Sequence, residues 1–186
     1  MAMRATKEAL VCSFPPIAAP DARVLVLGSV PSIASLAKRQ YYGHPQNAFW
    51  PIMRRLFNAG PDRPYEDSKR ILCERGVAVW DVLRECYREG SLDSEIEVES
   101  EVPNDFAAFF CGHSQIETIF FNGHRPEAMF RRHVLPVVSG LGRAFRFRRL
   151  PSTSPAHAGR SFAQKLAAWR AVARAASRRT ARRKRG

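Results

Sequence analysis

The chain has 186 residues, 45% of them hydrophobic, which suits one globular domain with a real core and calls for no second one. Its apolar runs, such as residues 24–27 and 116–121, are far shorter than the ~20 residues of a membrane-crossing helix. The first eight residues, with Arg4, Lys7 and Glu8, lead into no apolar stretch with a small-residue cleavage site, so a soluble cytoplasmic or nucleoid-associated protein is expected. In chain order, residues 23–28 (RVLVLG) read as a buried strand entering a tight loop that contains Pro31. From residue 47 to 57, Phe49, Trp50, Met53, Leu56 and Phe57 recur at helical spacing, and Asn58, Gly60 and Pro61 form the stop. Residues 66–74 read as a further helix broken by Gly76, and residues 77–80 as a second strand. The acidic stretch 93–101 has only Ile96 and Val98 as large apolar groups and reads as an exposed connection facing away from any polyanion. Asn104 or Asp105 caps a helix running to Cys111. Residues 116–121 give a third strand, 127–137 a helix, and 144–150 a fourth strand. The last helix starts near Ser161, with Phe162, Leu166, Trp169 and Ala173 predicted on one face.

Strands alternating with helices predict an α/β fold, a three-layer α/β/α sandwich around a mainly parallel four-stranded sheet. In such sheets ligands bind beyond the carboxyl ends of the strands. Polar segments follow every predicted strand: GSVPS at 28–32 with QYYGHPQNAFW at 40–50, Asp81 after VAVW, Asn122-Gly123, and LPSTSPAHA at 150–158. Pro/Ser-rich turns can aim amides and hydroxyls at phosphates, and Tyr41 and Tyr42 offer a flat face for a base.

The formal charge of +13 is unevenly placed. Residues 160–186 hold ten Lys/Arg and no acid, leaving 20 basic against 17 acidic groups before them. A single domain over 1–176 is therefore expected, with a basic tail at 177–186 kept disordered by self-repulsion and able to neutralise DNA phosphates without reading sequence. The cysteines Cys12, Cys73, Cys86 and Cys111 lie far apart without CxxC, and the five histidines lack ligand spacing, so neither metal nor cofactor is expected. GSVPSI after the first strand is no GxGxxG fingerprint, and neither GxxxxGK[ST] nor GxSxG occurs.

Taken in order, GSVPS, QYYGHPQNAFW, GVAVWD, PNDF, FFNG and LPSTSPAHA resemble the deoxyinosine (hypoxanthine) glycosylase branch of the uracil-DNA glycosylase superfamily, over about residues 23 to 170. The resemblance implies hydrolysis of the N-glycosidic bond of a deaminated base in DNA, most plainly hypoxanthine, by a monomer acting on double-stranded DNA without a cofactor or a membrane. Uracil or a mismatched base, and a binding module without turnover, are the alternatives.

The resemblance also distributes roles. Val30 stands where relatives carry Asn or an acid, and it can do no acid–base work; Leu150 stands where uracil-specific enzymes carry a histidine. The catalytic duty moves to Asn47, which alternatively caps the helix beginning near Phe49. Asp81 matches the residue that reads the base edge, accepting from N1–H of hypoxanthine, or it caps a helix starting at Val82. Tyr42 matches the stacking aromatic or simply packs its loop. Ser29, Val30, His44 and Asn122 are expected around the base, with His44 and Asn122 alternatively structural. Ser32, Ser152, Ser154 and His157 are expected near DNA, the two later serines alternatively making a turn.

Overall fold

The computed structural model describes residues 9–90 and 92–177, so the expectation for the basic run beginning at Arg178 lies outside the described residues. Three short apolar runs and one arginine-rich edge strand pair as a parallel sheet: β2 (Val24–Gly28), β3 (Val77–Asp81), β6 (Thr118–Asn122) and β7 (Arg146–Leu150), in the order β3-β2-β6-β7. β2 and β3 are buried at every position, as strands covered on both faces must be. The registers run Gly28 opposite Asp81 and Asn122 opposite Leu150, so the strand ends finish at a common edge.

The helices flanking this sheet are α1 (Ile33–Lys38), α2 (Phe49–Phe57), α3 (Tyr65–Glu74), α4 (Phe106–Gly112), α5 (His124–Met129), α6 (Leu135–Val138) and α7 (Phe162–Ala176). α5 and α6 are joined by one π-helical stretch, Phe130–Val134. α7 packs on β2, β7 and α2, with Trp169 edge-on to Phe49 at 5.8 Å. Phe49, Phe110, Phe120, Phe121, Phe130 and Trp169 are fully buried, each removal from water being worth about 1.5–3 kcal/mol. The connection from β2 leads to β3 on one side, while that from β6 leads to β7 on the other. The chain thus leaves the neighbours β2 and β6 in opposite directions, which opens a crevice beyond their carboxyl ends.

Three details depart from expectation. A second, antiparallel sheet joins β1 (Ala9–Cys12), β4 (Leu83–Arg88) and β5 (Val102–Pro103), and β4 occupies the place where a helix after Asp81 was an alternative. Asp81 is therefore no helix cap. The buried residues of α7 are Lys165, Trp169, Ala171, Val172 and Ala176; of the predicted stripe, Trp169 is among them, Leu166 and Ala173 pack partly buried against the core, and Phe162 is exposed. The acidic connection folds as two 3-10 turns, Asp93–Glu95 and Val98–Ser100. Its carboxylate Glu101 is buried against Arg132 (3.0 Å) and His133 (2.6 Å). No helix among the described residues is long and apolar enough to cross a membrane.

Candidate active site

A cavity of about 480 Å³ occupies the crevice, within the range of roughly 300–1,000 Å³ usual for small-ligand sites. The loop after β2 supplies Ser29, Val30 and Ser32; β3 supplies Asp81; the end of β6 supplies Asn122 and the start of α5 supplies His124 and Arg125; the loop after β7 supplies Ser152, Ser154 and His157. Tyr42 and Asn47 close it from the 40–50 segment. Of the residues expected at the site, His44 alone is not brought to this cavity. Its ring Nδ1 accepts from the Gln46 amide at 3.2 Å and it borders a neighbouring cavity of about 320 Å³, which Tyr42 and Asn47 separate from the first. His44 shapes the turn.

The loop after β2 is held from both ends. Ser32 caps α1, accepting from the Ser35 amide at 3.2 Å, and the Ser35 hydroxyl in turn accepts from the Gly43 amide at 3.0 Å, which ties the GSVPS loop to QYYGHPQN. Arg88, buried on β4, donates to the Pro31 carbonyl at 2.7 Å and to the Gly90 carbonyl at 2.6 Å. Gly28 is required by space, since a Cβ there would collide with the Asp81 carboxylate and press on the Tyr42 hydroxyl at 3.1 Å. Asp81 itself is 3% exposed, and its backbone carbonyl accepts from the Asn104 side chain at 2.9 Å. Val30 presents only an aliphatic surface to the cavity.

Tyr42 sits at φ 54°, a left-handed conformation, and stacks on Phe49 with centroids 4.0 Å apart. One ring face is thereby occupied, and the residue still lines the cavity. Tyr41 behaves differently from its neighbour: it is buried, and its hydroxyl donates to the Phe14 and Pro15 carbonyls at 3.0 and 3.1 Å. Burial, and secondarily the Asp81 carboxylate, push its hydroxyl far above the usual tyrosine range, so it stays neutral.

Asn47 takes up the structural behaviour anticipated for it beside α2 and also lines the cavity. Its Oδ1 accepts from the Phe49 amide at 3.0 Å, satisfying an open N–H at the start of α2. With the oxygen end engaged, the amide NH₂ is the end left to donate into the cavity.

Asn122 is committed elsewhere. Its Nδ2 donates to Thr153 Oγ1 at 2.8 Å, and its Oδ1 accepts from the Thr153 amide at 2.8 Å. The Thr153 carbonyl accepts from the Ala48 amide at 3.0 Å, so one buried threonine joins the ends of β6 and β7 to the residue beside Asn47. Gly123 adopts φ 104° where Ser152 approaches to 3.0 Å of a would-be Cβ, a turn that only glycine makes without strain. Ser152 and Ser154 accept from the amides of Ser154 (3.2 Å) and Ala156 (3.3 Å), making the turn that was their alternative role while still lining the cavity. Leu150 is 2% exposed and faces the core.

No family model matches the chain. The hypoxanthine DNA glycosylase of Methanosarcina acetivorans is 35% identical over 141 residues, which cover 71% of this chain and 88% of that protein. The chain belongs to the hypoxanthine DNA glycosylase branch of the uracil-DNA glycosylase superfamily. A second glycosylase of the same description, from Methanosarcina barkeri, is 32% identical over 115 residues, covering 60% of this chain and 70% of its own. The solution NMR structure of a candidate uracil DNA glycosylase from Methanosarcina acetivorans matches with a TM-score of 0.74 at 31% identity, over 91% of this chain and 100% of that one.

Sequence reasoning did not anticipate several residues of this glycosylase cavity. Thr153 lies between Ser152 and Ser154, and His124 and Arg125 follow the Asn122-Gly123 turn directly, so the strand-end position itself is their signal. Ser94 of the acidic connection also reaches the cavity, beside Leu92 just before it, although that connection was expected to face away.

Proposed function

We propose that this DNA glycosylase releases hypoxanthine from deoxyinosine in double-stranded DNA, acting as a monomer and leaving an abasic site. The observation that carries the reading is the cavity wall shared by Asn47, Tyr42 and Asp81, in which the Asn47 oxygen is held by the Phe49 amide. A target base must leave the stack to reach such a cavity, at a cost of a few kcal/mol that falls for an imperfectly paired base such as hypoxanthine opposite thymine. Tyr42 offers its remaining ring face to the flipped base. A carboxyl oxygen of Asp81 accepts the N1–H of hypoxanthine and disfavours a carbonyl oxygen in its place. Asn47 donates to the base or to the attacking water as the sugar becomes oxocarbenium-like and the base gains negative charge. Val30 leaves the site without an acid or base next to the sugar, so catalysis rests on positioning and charge stabilisation. The hydroxyls of Ser32, Ser152 and Ser154, together with His157, lie where the flanking phosphates pass.

The test is a panel of duplex oligonucleotides carrying inosine, uracil, xanthine or a thymine mismatch, treated with alkali after incubation. Cleavage of the inosine strand is expected. Cleavage of uracil but not inosine would move the enzyme to another branch, and binding of inosine DNA with no alkali-labile site on any duplex would make it a lesion-binding module.

A further inference from the structure

Breaking the C1′–N9 bond sends its electron pair to the purine, and water delivers hydroxide to C1′ while its remaining proton ends on the base. Until that proton arrives the base carries negative charge, and Asp81, buried in the wall, opposes it. Among the described residues that line the cavity, Arg125 is the one permanently charged cation. We infer that the Arg125 guanidinium stabilises the departing hypoxanthine anion, making Arg125 a second catalytic side chain.

The topology places it for this. Asp81 ends β3 and Arg125 follows β6, the two strands that flank β2, so anion and cation stand on opposite sides of the GSVPS loop. Gly123 turns the chain into the cavity at φ 104°, and its amide is anchored on the Leu150 carbonyl at 3.1 Å. Arg125 is half-buried, and its Nε is shielded from solvent. In such a setting a charge acts through less water than at the surface. The neighbouring polar groups cannot substitute for it. Asn122 holds Thr153 with both ends of its amide, and the Ser152 and Ser154 hydroxyls, which accept from backbone amides, keep an O–H to donate but carry no charge. Asn47 donates from the opposite segment but carries no charge.

The inference rests on the deoxyinosine reading, which the wild-type enzyme tests by itself on the panel above. Arg125→Gln and Arg125→Lys are compared with wild type in single-turnover release of hypoxanthine at saturating duplex, from pH 8.5 to 5.5, with DNA affinity measured in parallel. Arg125→Gln is expected to lose about 10²–10³ in rate, as for removal of one donor to a developing anion, with affinity nearly unchanged. The deficit should narrow toward low pH, because a purine protonated at N7 leaves without net negative charge. Arg125→Lys should recover part of the rate, and it carries the pH comparison if the glutamine variant fails to fold. An Arg125→Gln enzyme with the wild-type rate would overturn the inference. So would a deficit independent of pH accompanied by weaker binding and a salt dependence shallower by about one phosphate contact, which would make Arg125 a backbone clamp.

Discussion

Asn122→Ala separates a strut from a base reader. In the folded chain the Asn122 amide makes two 2.8 Å hydrogen bonds to Thr153, which is 0% exposed. Alanine leaves the Thr153 amide without its acceptor, and an orphaned buried donor costs about 1–3 kcal/mol. The middle of that range, about 2 kcal/mol, is roughly a thirtyfold change in the folding equilibrium, and for a chain of this length about 4–8 °C in Tm. Urea unfolding should show the midpoint falling with an unchanged slope, since the surface exposed on unfolding is the same. The Thr153 carbonyl also receives the Ala48 amide, so a loosened Thr153 lets Asn47 drift. Hypoxanthine release should slow about tenfold, with preference among bases retained. An Asn122→Ala enzyme with the wild-type midpoint that no longer distinguishes inosine from normal purines would refute the reasoning, and Asn122 would then contact the base.

Two further outcomes follow from the same geometry. Asn47→Ala should lose both the donor and the acceptor of the Phe49 amide, costing about 1 kcal/mol of stability, whereas Asn47→Asp keeps an acceptor for that amide and should retain stability; both should be nearly inactive in single turnover with DNA affinity kept. An aspartate variant as fast as wild type would show that the oxygen end does the chemistry. The folded chain keeps the Tyr41 proton that the unfolded chain releases above its ordinary pKa near 10, so stability is intact below about pH 10 and declines above it, by about 1.4 kcal/mol per pH unit. Urea midpoints from pH 7 to 11 should show Tyr41→Phe less stable at neutral pH, having lost the bonds to Phe14 and Pro15, but flatter in alkali; an equal alkaline slope in both proteins would contradict the assignment.

The parallel sheet and most helices were legible in the sequence because β2, β3 and β6 are short apolar runs ending in polar turns, α2 repeats its apolar groups at helical spacing, and α4 and α7 open on recognisable caps. Ser161 and Asp105 are such caps, and both accept from the amide three residues on. β1 and β4 were not legible, since only Val11 of the first is buried and the second interleaves charges with its buried Leu83, Cys86 and Arg88. Their pairing is settled by partners distant in the chain.

The same division runs through the active site. Motif order by itself determined the family and brought forward Asn47, Tyr42, Asp81 and the strand-end loops, because a residue just past a parallel strand must face the crevice whatever its neighbours do. Which atoms remain available there was decided only in three dimensions. Asn122, at the end of β6, and Asn47, in the loop before α2, are the same residue type on the wall of one cavity. Asn122 is consumed by Thr153, 31 residues away, whereas Asn47 spends its oxygen on its own helix and keeps its donor end. Arg125 became visible only when the turn at Gly123 carried it into the cavity opposite Asp81. Hydrogen-bond capacity is local to a side chain, but its expenditure depends on tertiary neighbours, and that expenditure separates a strut from a catalytic group.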